Sequence, residues 1–180
     1  MRPAFFFDRD GVVNVSPGAG YVLRVEDFHL SDGIIEALSL IKSQGYLLVL
    51  VTSQQGVGKG LMSQADLDQI HEHMQEELSR HGAAFDAIYA CTCLAADPLC
   101  TCRKPSPEMI LRAAERYDID LSRSWLVGDH DRDIQMAINA GVTGTVRIGS
   151  VLPDVVPATH RLNEPAELAV LLRHYIFVAE

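Results

Sequence analysis

The sequence predicts a doubly wound α/β fold, in which helices cover both faces of a parallel sheet. Short apolar runs alternate along the chain with segments whose apolar residues recur at helical spacing. The apolar runs are continuous rather than alternating with polar residues, which is typical of parallel strands buried on both faces. The chain has 180 residues, 48% hydrophobic and 22% charged, which suits one soluble domain with a substantial core.

The first half of the chain contains three predicted strands and two predicted helices. A strand over "AFFF" leads into Asp8, and "DGIIEALSLIKSQG" has the apolar spacing of a helix that ends at Gly45. "YLLVLVT" predicts a buried strand. A second helix should begin at Ser63, because Asp66 three residues later resembles a capping box, and should end at Gly82. "FDAIYA" indicates a weaker third strand.

The second half continues the alternation. "SPEMILRAAERY" predicts a helix with Ser106 as N-cap and Pro107 at its first position. "SWLVGD" predicts a strand, "RDIQMAINAG" a helix, "TGTVRIG" a strand, and "EPAELAVLLRHY" a final amphipathic helix. The stretches 12–28 and 91–102 are too long for simple connections, and long loops in compact domains are usually functional.

Charge and hydropathy exclude several classes of protein. The net charge of −9 argues against a general nucleic-acid binder, which needs clustered excess cations. No apolar run reaches the ~18–20 residues of a membrane span. The start "MRPAFFFDRDG" reaches acidic residues before a signal-peptide core could develop. We therefore expect a cytoplasmic monomer without membrane or nucleic-acid partners, acting on a small molecule.

All four cysteines lie in "CTCLAADPLCTC", as two C-x-C pairs with six residues between them. Cytosolic thiols stay reduced, and clustered ones more often bind metal or do redox chemistry than form disulfides. Neither pair has the C-x-x-C spacing of a redox site, so the interpretation that we favour is one tetrahedral Zn²⁺ on Cys91, Cys93, Cys100 and Cys102. Free thiols or a disulfide pair are the alternatives. A closed four-thiolate shell would be structural rather than catalytic.

Polar residues follow the predicted strands, at the edge where ligands bind in open α/β sheets. They are Asp8 and Asp10, then Thr52, Ser53 and Gln54, then Arg103 and Lys104 after the cysteine loop, then Asp129 with Asp133 a helical turn later. Each of these short sequences, taken alone, is also common in turns and at helix caps. Together, the carboxylates would repel one another without a divalent cation, and oxygen ligands favour Mg²⁺. Mg²⁺, a lysine and hydroxyl donors would form an electrostatic clamp for a transferring phosphoryl group.

The motifs "DRDG", "VTSQ", "RKP" and "GDHDRD", in this order at successive strand ends, resemble the four motifs of the haloacid dehalogenase (HAD) superfamily of phosphohydrolases. The resemblance covers nearly the whole chain. It extends to a branch that carries a zinc loop directly before its Arg-Lys-Pro and that contains phosphatases of heptose bisphosphates and of histidinol phosphate. It implies one phosphatase domain over residues 1–180, with the zinc loop at 91–102 and no large cap domain.

The resemblance also implies a role for each matching residue. Asp8 matches the nucleophile that forms an aspartyl-phosphate, and Asp10 the general acid and base. Asp8, the Asp10 backbone carbonyl and Asp129 match the Mg²⁺ ligands, with Asp133 behind them. The expected phosphate- and substrate-binding residues are Thr52, Ser53, Gln54, Arg103, Lys104 and His130.

Three residues depart from the pattern of this branch. Ser53 stands where an asparagine is usual, Cys93 replaces a zinc-binding histidine, and His130 replaces a lysine or arginine. These departures bear on substrate choice more than on chemistry. The implied substrate is a heptose 1,7-bisphosphate, with histidinol phosphate as the alternative.

Two other classes of protein compete with an enzyme. A phospho-accepting signalling module uses similar residues, but there the acidic pair and the accepting aspartate lie on different strands. A zinc-dependent binding module leaves the strand-end motifs unexplained. The pair His71 and His73, on a Glu-rich helix, is expected to lie on a solvated face rather than to bind metal.

Overall fold

The computed structural model describes residues 1–149 and 155–177, and the predicted doubly wound α/β fold is confirmed. The described residues form one six-stranded parallel sheet in the order β3-β2-β1-β4-β5-β6. Its strands are β1 (Ala4–Phe7), β2 (Leu47–Ser53), β3 (Ala87–Cys91), β4 (Trp125–Gly128), β5 (Gly144–Ile148) and β6 (His160–Leu162).

Strand β1 lies between β2 and β4, where the order of the strands reverses. Phe6 is opposite Val49 on one side and Leu126 on the other. In a doubly wound sheet the loops after two such strands diverge to opposite faces and leave a crevice at their carboxyl ends. Asp8 directly follows β1, and Asp129 directly follows β4.

Helices cover both faces of the sheet. They are α1 (Ile34–Ser43), α2 (Gln55–Gly58), α3 (Gln64–Ser79), α4 (Glu108–Tyr117), α5 (Asp131–Ala140) and α6 (Leu168–Leu171). Because successive side chains of a strand point to opposite faces, Phe5 and Phe7 join the core beneath α1, α3 and α6, whereas Phe6 joins the core beneath α4 and α5. The three phenylalanines are fully buried and anchor both layers.

The capping box predicted for the helix at 63–82 is present. Ser63 Oγ accepts a hydrogen bond from the backbone N–H of Asp66 (3.1 Å), and the Asp66 carboxylate accepts from the backbone N–H of Ser63 (2.7 Å). The start predicted for α4 is wrong by one residue. Pro107 is the N-cap, and Ser106 accepts from the Glu108 N–H at 3.4 Å.

Two features near the C-terminus differ from the pattern in the sequence. Strand β6 was not predicted, because three residues carry too little periodicity to indicate a strand. The single helix expected over "EPAELAVLLRHY" is a 3₁₀ turn (Pro165–Glu167), then α6, then a π-helical turn (Leu172–Ile176).

The long stretch 12–28 holds one 3₁₀ turn (Val25–Asp27), and in the described part of the chain no large cap is built on the sheet. Asn14 bridges antiparallel to Leu30, and Ser31 N–H donates to the Val13 carbonyl, so this stretch returns along itself above the end of β1. Among the helices of residues 1–149 and 155–177, none is long and apolar enough to cross a membrane.

Candidate active site

A cleft of about 140 Å³ opens at the carboxyl ends of β1 and β4. It is lined by Asp8, Asp10, Ser16, Pro17, Gly18, Gly20, Tyr21, Ser53, Lys104, Asp129, His130 and Arg132. The structure thus brings together, at the strand reversal, residues separated by up to 124 positions in the sequence. Most of the strand-end residues predicted from the sequence contribute to this cleft or lie directly behind it.

Lys104 forms ion pairs with Asp8, which follows β1, and with Asp133 in α5. Its Nζ lies 2.8 Å from Asp8 Oδ1 and 2.7 Å from Asp133 Oδ1, and all three side chains are nearly or fully buried. Burial alone would lower the pKa of Lys104, but the carboxylates of Asp133 and Asp8 outweigh it, and the pKa lies above its usual value. Lys104 therefore stays charged, which a buried ammonium does only beside such partners.

The two carboxylates that share Lys104 differ in their acidity. Burial raises the pKa of Asp8 to about 7; Lys104 opposes this shift, and the nearby charges of Asp133 and Asp129 add to it. For Asp133 the attraction of Lys104 and a hydrogen bond from the His130 backbone N–H overcome burial, so its pKa is lowered. Of the two, Asp8 is the carboxyl group whose ionised form a further nearby cation would stabilise more.

Asp129 and His130 form the second charged pair of the cleft. His130 Nδ1 lies 2.6 Å from Asp129 Oδ1, and this hydrogen bond raises the pKa of His130. Asp129, His130 and Asp133 present ligand atoms within 4.8 Å of one another and could hold a metal ion. The set predicted from the sequence was Asp8, the Asp10 carbonyl and Asp129, so Asp129 is common to both. Carboxylate and carbonyl oxygens fit Mg²⁺.

Two glycines leave room for the carboxylates of Asp129 and Asp133. A Cβ on Gly11, whose φ is +83°, would lie 2.5 Å from Asp129 Oδ2. A Cβ on Gly128 would lie 2.4 Å from the Asp133 Cβ. Both distances are shorter than a Cβ atom tolerates. Asp129 and Asp133 therefore occupy space that any side chain at Gly11 or Gly128 would fill.

Asp10 is held from the side opposite the cleft. Arg9 Nη2 donates to Asp10 Oδ1 (3.0 Å), and Gln54 Nε2 donates to Asp10 Oδ2 (3.0 Å) and to Thr52 Oγ1 (2.9 Å). Gln54 and Thr52 are almost fully buried and do not line the cleft. The structure thus places these two predicted phosphate-binding residues behind Asp10.

The remaining predicted binding residues are Ser53 and Arg103. Ser53 lines the cleft, and its buried Oγ has no hydrogen-bond partner among the described residues. Arg103 does not line the cleft, and its buried Nη1 is also unpaired within the described part of the chain. Buried donors without partners are rare in native proteins, which is consistent with a polar ligand at Ser53.

The four cysteines converge beside the cleft, and the structure fits the predicted metal site. The Sγ–Sγ distances are 3.6 Å for Cys91 and Cys100, 3.9 Å for Cys93 and Cys102, and 3.8 Å for Cys100 and Cys102. A tetrahedron with Zn–S bonds of ~2.3 Å has edges of ~3.8 Å, whereas a disulfide needs ~2.05 Å. All four Sγ atoms lie within 4.8 Å of one another, so the cluster suits one Zn²⁺ and not a disulfide pair.

Two parts of the site were not predicted at the level of individual residues, although the stretch 12–28 was expected to be functional. One wall of the cleft comes from residues 16–21, where Tyr21 accepts a hydrogen bond from Lys59 Nζ (2.9 Å). The other is His71, which was expected on a solvated face. That expectation is wrong for His71, which is 8% exposed and contacts Arg9, while His73 is partly exposed and pairs with Glu77.

Several known proteins resemble this chain in sequence and in structure. A family model described as HAD-hydrolase-like matches residues 101–154. Over 140 residues the chain is 41% identical to the D-glycero-beta-D-manno-heptose-1,7-bisphosphate 7-phosphatase of Helicobacter pylori, covering 77% of this chain and 79% of that one. The enzyme of the same name from Escherichia coli is 37% identical over 176 residues, with coverage of 92% and 91%.

The fold of this chain is also similar to that of a solved structure. The D,D-heptose 1,7-bisphosphate phosphatase of B. bronchiseptica, complexed with magnesium and phosphate, superposes with a TM-score of 0.83 and 32% identity. The match covers 96% of this chain and 98% of that one. Fold, site and similarity together define a phosphatase of the HAD hydrolases. Within that class, the chain belongs to the family that contains these heptose bisphosphate phosphatases.

Proposed function

We propose that the 180 residues form one Mg²⁺-dependent phosphatase domain that removes the 7-phosphate of D-glycero-D-manno-heptose 1,7-bisphosphate through an aspartyl-phosphate. The observation that carries the chemistry is the convergence of Asp8, Asp10, Lys104 and Asp129 on one cleft. The names of the relatives support the substrate, since the chain covers most of their length at 37–41% identity.

In the first step, an Asp8 carboxylate oxygen attacks phosphorus and the bond to the sugar oxygen breaks. Asp10 gives its proton to the leaving alkoxide, which could not otherwise leave readily at neutral pH. Lys104, 2.8 Å from Asp8, balances the negative charge of the transferring group. Ser53 faces the cleft with a free hydroxyl that can donate to a phosphoryl oxygen.

In the second step, water attacks the phosphorus of the aspartyl-phosphate. Asp10, now ionised, accepts a proton from this water, and the bond between phosphorus and Asp8 breaks. Inorganic phosphate leaves, and Asp10 is again protonated. The same carboxyl group thus serves as acid and then base, which requires it to keep one position through both steps.

Two metals complete the proposal. Mg²⁺, held by Asp8, the Asp10 carbonyl and Asp129, would neutralise the carboxylates and the phosphoryl oxygens. Zn²⁺ on the four cysteines would fix the loop that carries Arg103 and Lys104, because only one residue separates Cys102 from Lys104.

The cleft suits a small anionic sugar. Its walls are mostly hydroxyl, carboxylate and cationic groups, and Arg132 adds positive charge at the exposed rim beside the imidazole of His130. We also infer a phosphorylated metabolite as the partner, a monomeric state and a cytoplasmic location.

Phosphate release from a panel of substrates tests this function. We expect the highest kcat/KM for the heptose 1,7-bisphosphate, activity that requires added Mg²⁺, and loss of turnover in Asp8→Asn. Asp118→Asn, at an exposed position with a left-handed backbone that asparagine tolerates, is the matched control and should retain full activity. Preference for histidinol phosphate would replace the proposed substrate, whereas no hydrolysis of any phosphomonoester would refute the proposed chemistry.

A further inference from the structure

Arg9, between the two aspartates of "DRDG", has a fully buried side chain. Its Nε and Nη2 donate to Asp10 Oδ1 at 3.2 and 3.0 Å, and Nη2 also donates to Gln54 Oε1 at 3.1 Å. On the far side, Nη1 lies 3.2 Å from Nε2 of His71. The guanidinium therefore connects Asp10 to helix α3, which contributes nothing else to the active site.

The contact between Arg9 and His71 has a defined direction. A guanidinium can only donate, so His71 Nε2 must accept and the imidazole must be neutral. Burial lowers the pKa of His71 to about 4, and the neighbouring charge of Arg9 acts in the same direction. A protonated His71 would place two cations together in the interior. The imidazole thus works as a fixed acceptor and carries no charge at neutral pH.

His71 restricts the positions open to Arg9. A buried N–H without an acceptor is costly, so a guanidinium that lost His71 would tilt to find another partner. Tilting would alter its bonds to Asp10, which accepts from Arg9 on Oδ1 and from Gln54 on Oδ2. These bonds fix the rotation of the carboxylate, whose side chain is 25% exposed toward the cleft.

We propose that His71 is a positioning residue, which fixes Arg9 and through it holds the Asp10 carboxyl in the orientation for proton transfer. The inference rests on the proposed role of Asp10 as acid and base. His71 touches neither substrate nor the reacting atoms. Its removal should therefore slow proton transfer while leaving substrate binding and the Asp8 attack unchanged.

The test uses two leaving groups. Glycerol 2-phosphate has a leaving alkoxide that needs a proton, whereas the phenolate of p-nitrophenyl phosphate leaves without one. In His71→Phe we expect kcat/KM to fall at least about tenfold for the alkyl ester and less than about threefold for the aryl ester. We compare kcat/KM because it covers the steps up to cleavage of the ester and leaves out hydrolysis of the aspartyl-phosphate, which is the same for both substrates. An ~1 Å displacement can cost on the order of 10²-fold, so a tenfold effect is within reach.

Three further variants make the result specific. His71→Gln can still offer an acceptor near the position of Nε2 and should stay within about threefold of wild type on both esters. His73→Phe, on the same helix but directed to a surface pair, is the control and should change neither rate. If His71→Phe does not fold, His71→Thr, too short to reach Arg9, replaces it.

Asp10→Asn, measured in parallel, separates the two proposals. Equal losses of kcat/KM on both esters in Asp10→Asn would mean that Asp10 is not the acid, and the proposed chemistry would fall. The role of His71 alone would be overturned if Asp10→Asn loses far more activity on the alkyl ester than on the aryl ester, while His71→Phe loses the same fraction of activity on both. The same conclusion would follow if His71→Gln showed as large a difference between the two esters as His71→Phe does.

Discussion

The buried His71 makes the stability of the folded chain sensitive to acid. Burial, aided by the charge of Arg9 and opposed by Asp68 and Asp10, lowers its pKa from 6.5 to about 4. Between these two values the unfolded chain binds a proton that the folded chain rejects. Stability that is present above pH ~6.5 is therefore lost as the pH falls, and the loss is complete below pH ~4.

The size of this loss follows from the two pKa values. Each pH unit of difference corresponds to ~1.4 kcal/mol, so the drop from 6.5 to about 4 corresponds to ~3 kcal/mol in all. About 2 kcal/mol of this should be lost by pH ~5. This is a large share of the ~5–15 kcal/mol that stabilises a typical domain.

Urea unfolding of wild type and His71→Gln, at pH ~7.5 and ~5, measures the effect. Other titrating groups are common to both proteins and cancel in the difference. We expect His71→Gln to gain about 2 kcal/mol relative to wild type on going from the higher pH to the lower one. His73→Gln, at the partly exposed neighbouring position, should follow wild type at both values. If the difference between wild type and His71→Gln is the same at the two pH values, His71 is not held neutral by burial.

Three further predictions concern the chemistry and the metals. Asp8→Asn should abolish phosphate release because an amide cannot attack phosphorus, and activity within about tenfold of wild type would contradict its role as nucleophile. Asp129→Ala should raise the Mg²⁺ concentration needed for half-maximal activity by more than about tenfold, and undiminished activity of the wild type in excess EDTA would exclude Mg²⁺ dependence. Cys102→Ser should lower zinc content, expose the loop at 91–102 to proteolysis and raise KM, with the sheet still folded; unchanged zinc and kinetics would refute the structural site.

The sequence was sufficient for the order of the elements up to β5, apart from the four-residue helix α2, and for the strand-end residues. Buried parallel strands appear as continuous apolar runs, so the positions of Asp8 and Asp129 at strand ends followed from "AFFF" and "SWLVG". Which strands are neighbours determines which loops meet, and the doubly wound arrangement placed these two ends side by side. The spacing of the cysteines likewise identified a cluster, because its ligands are close in the chain.

The sequence could not reveal the contacts that distant side chains make with one another. The resemblance placed Gln54 among the phosphate- and substrate-binding residues. In the structure its side chain turns back to Asp10, a contact that no local pattern encodes. For His71 a signal existed. It lies four residues after Leu67 and three before Met74, both buried, so the apolar stripe of α3 includes it. Its polarity led to the wrong expectation, because a buried histidine needs a partner that only the tertiary structure reveals.

The two glycines beneath the carboxylates have a consequence for how this enzyme tolerates mutation. Neither Gly11 nor Gly128 offers a functional group, yet alanine at either position would collide with Asp129 or Asp133. Because Asp129 directly follows β4 and Asp133 lies in the first turn of α5, the strain would be relieved by moving a carboxylate rather than by unfolding the sheet. A screen for inactive but folded variants should therefore recover these glycines together with the aspartates. Positions that only leave room for a carboxylate would then be as sensitive to substitution as the carboxylates themselves.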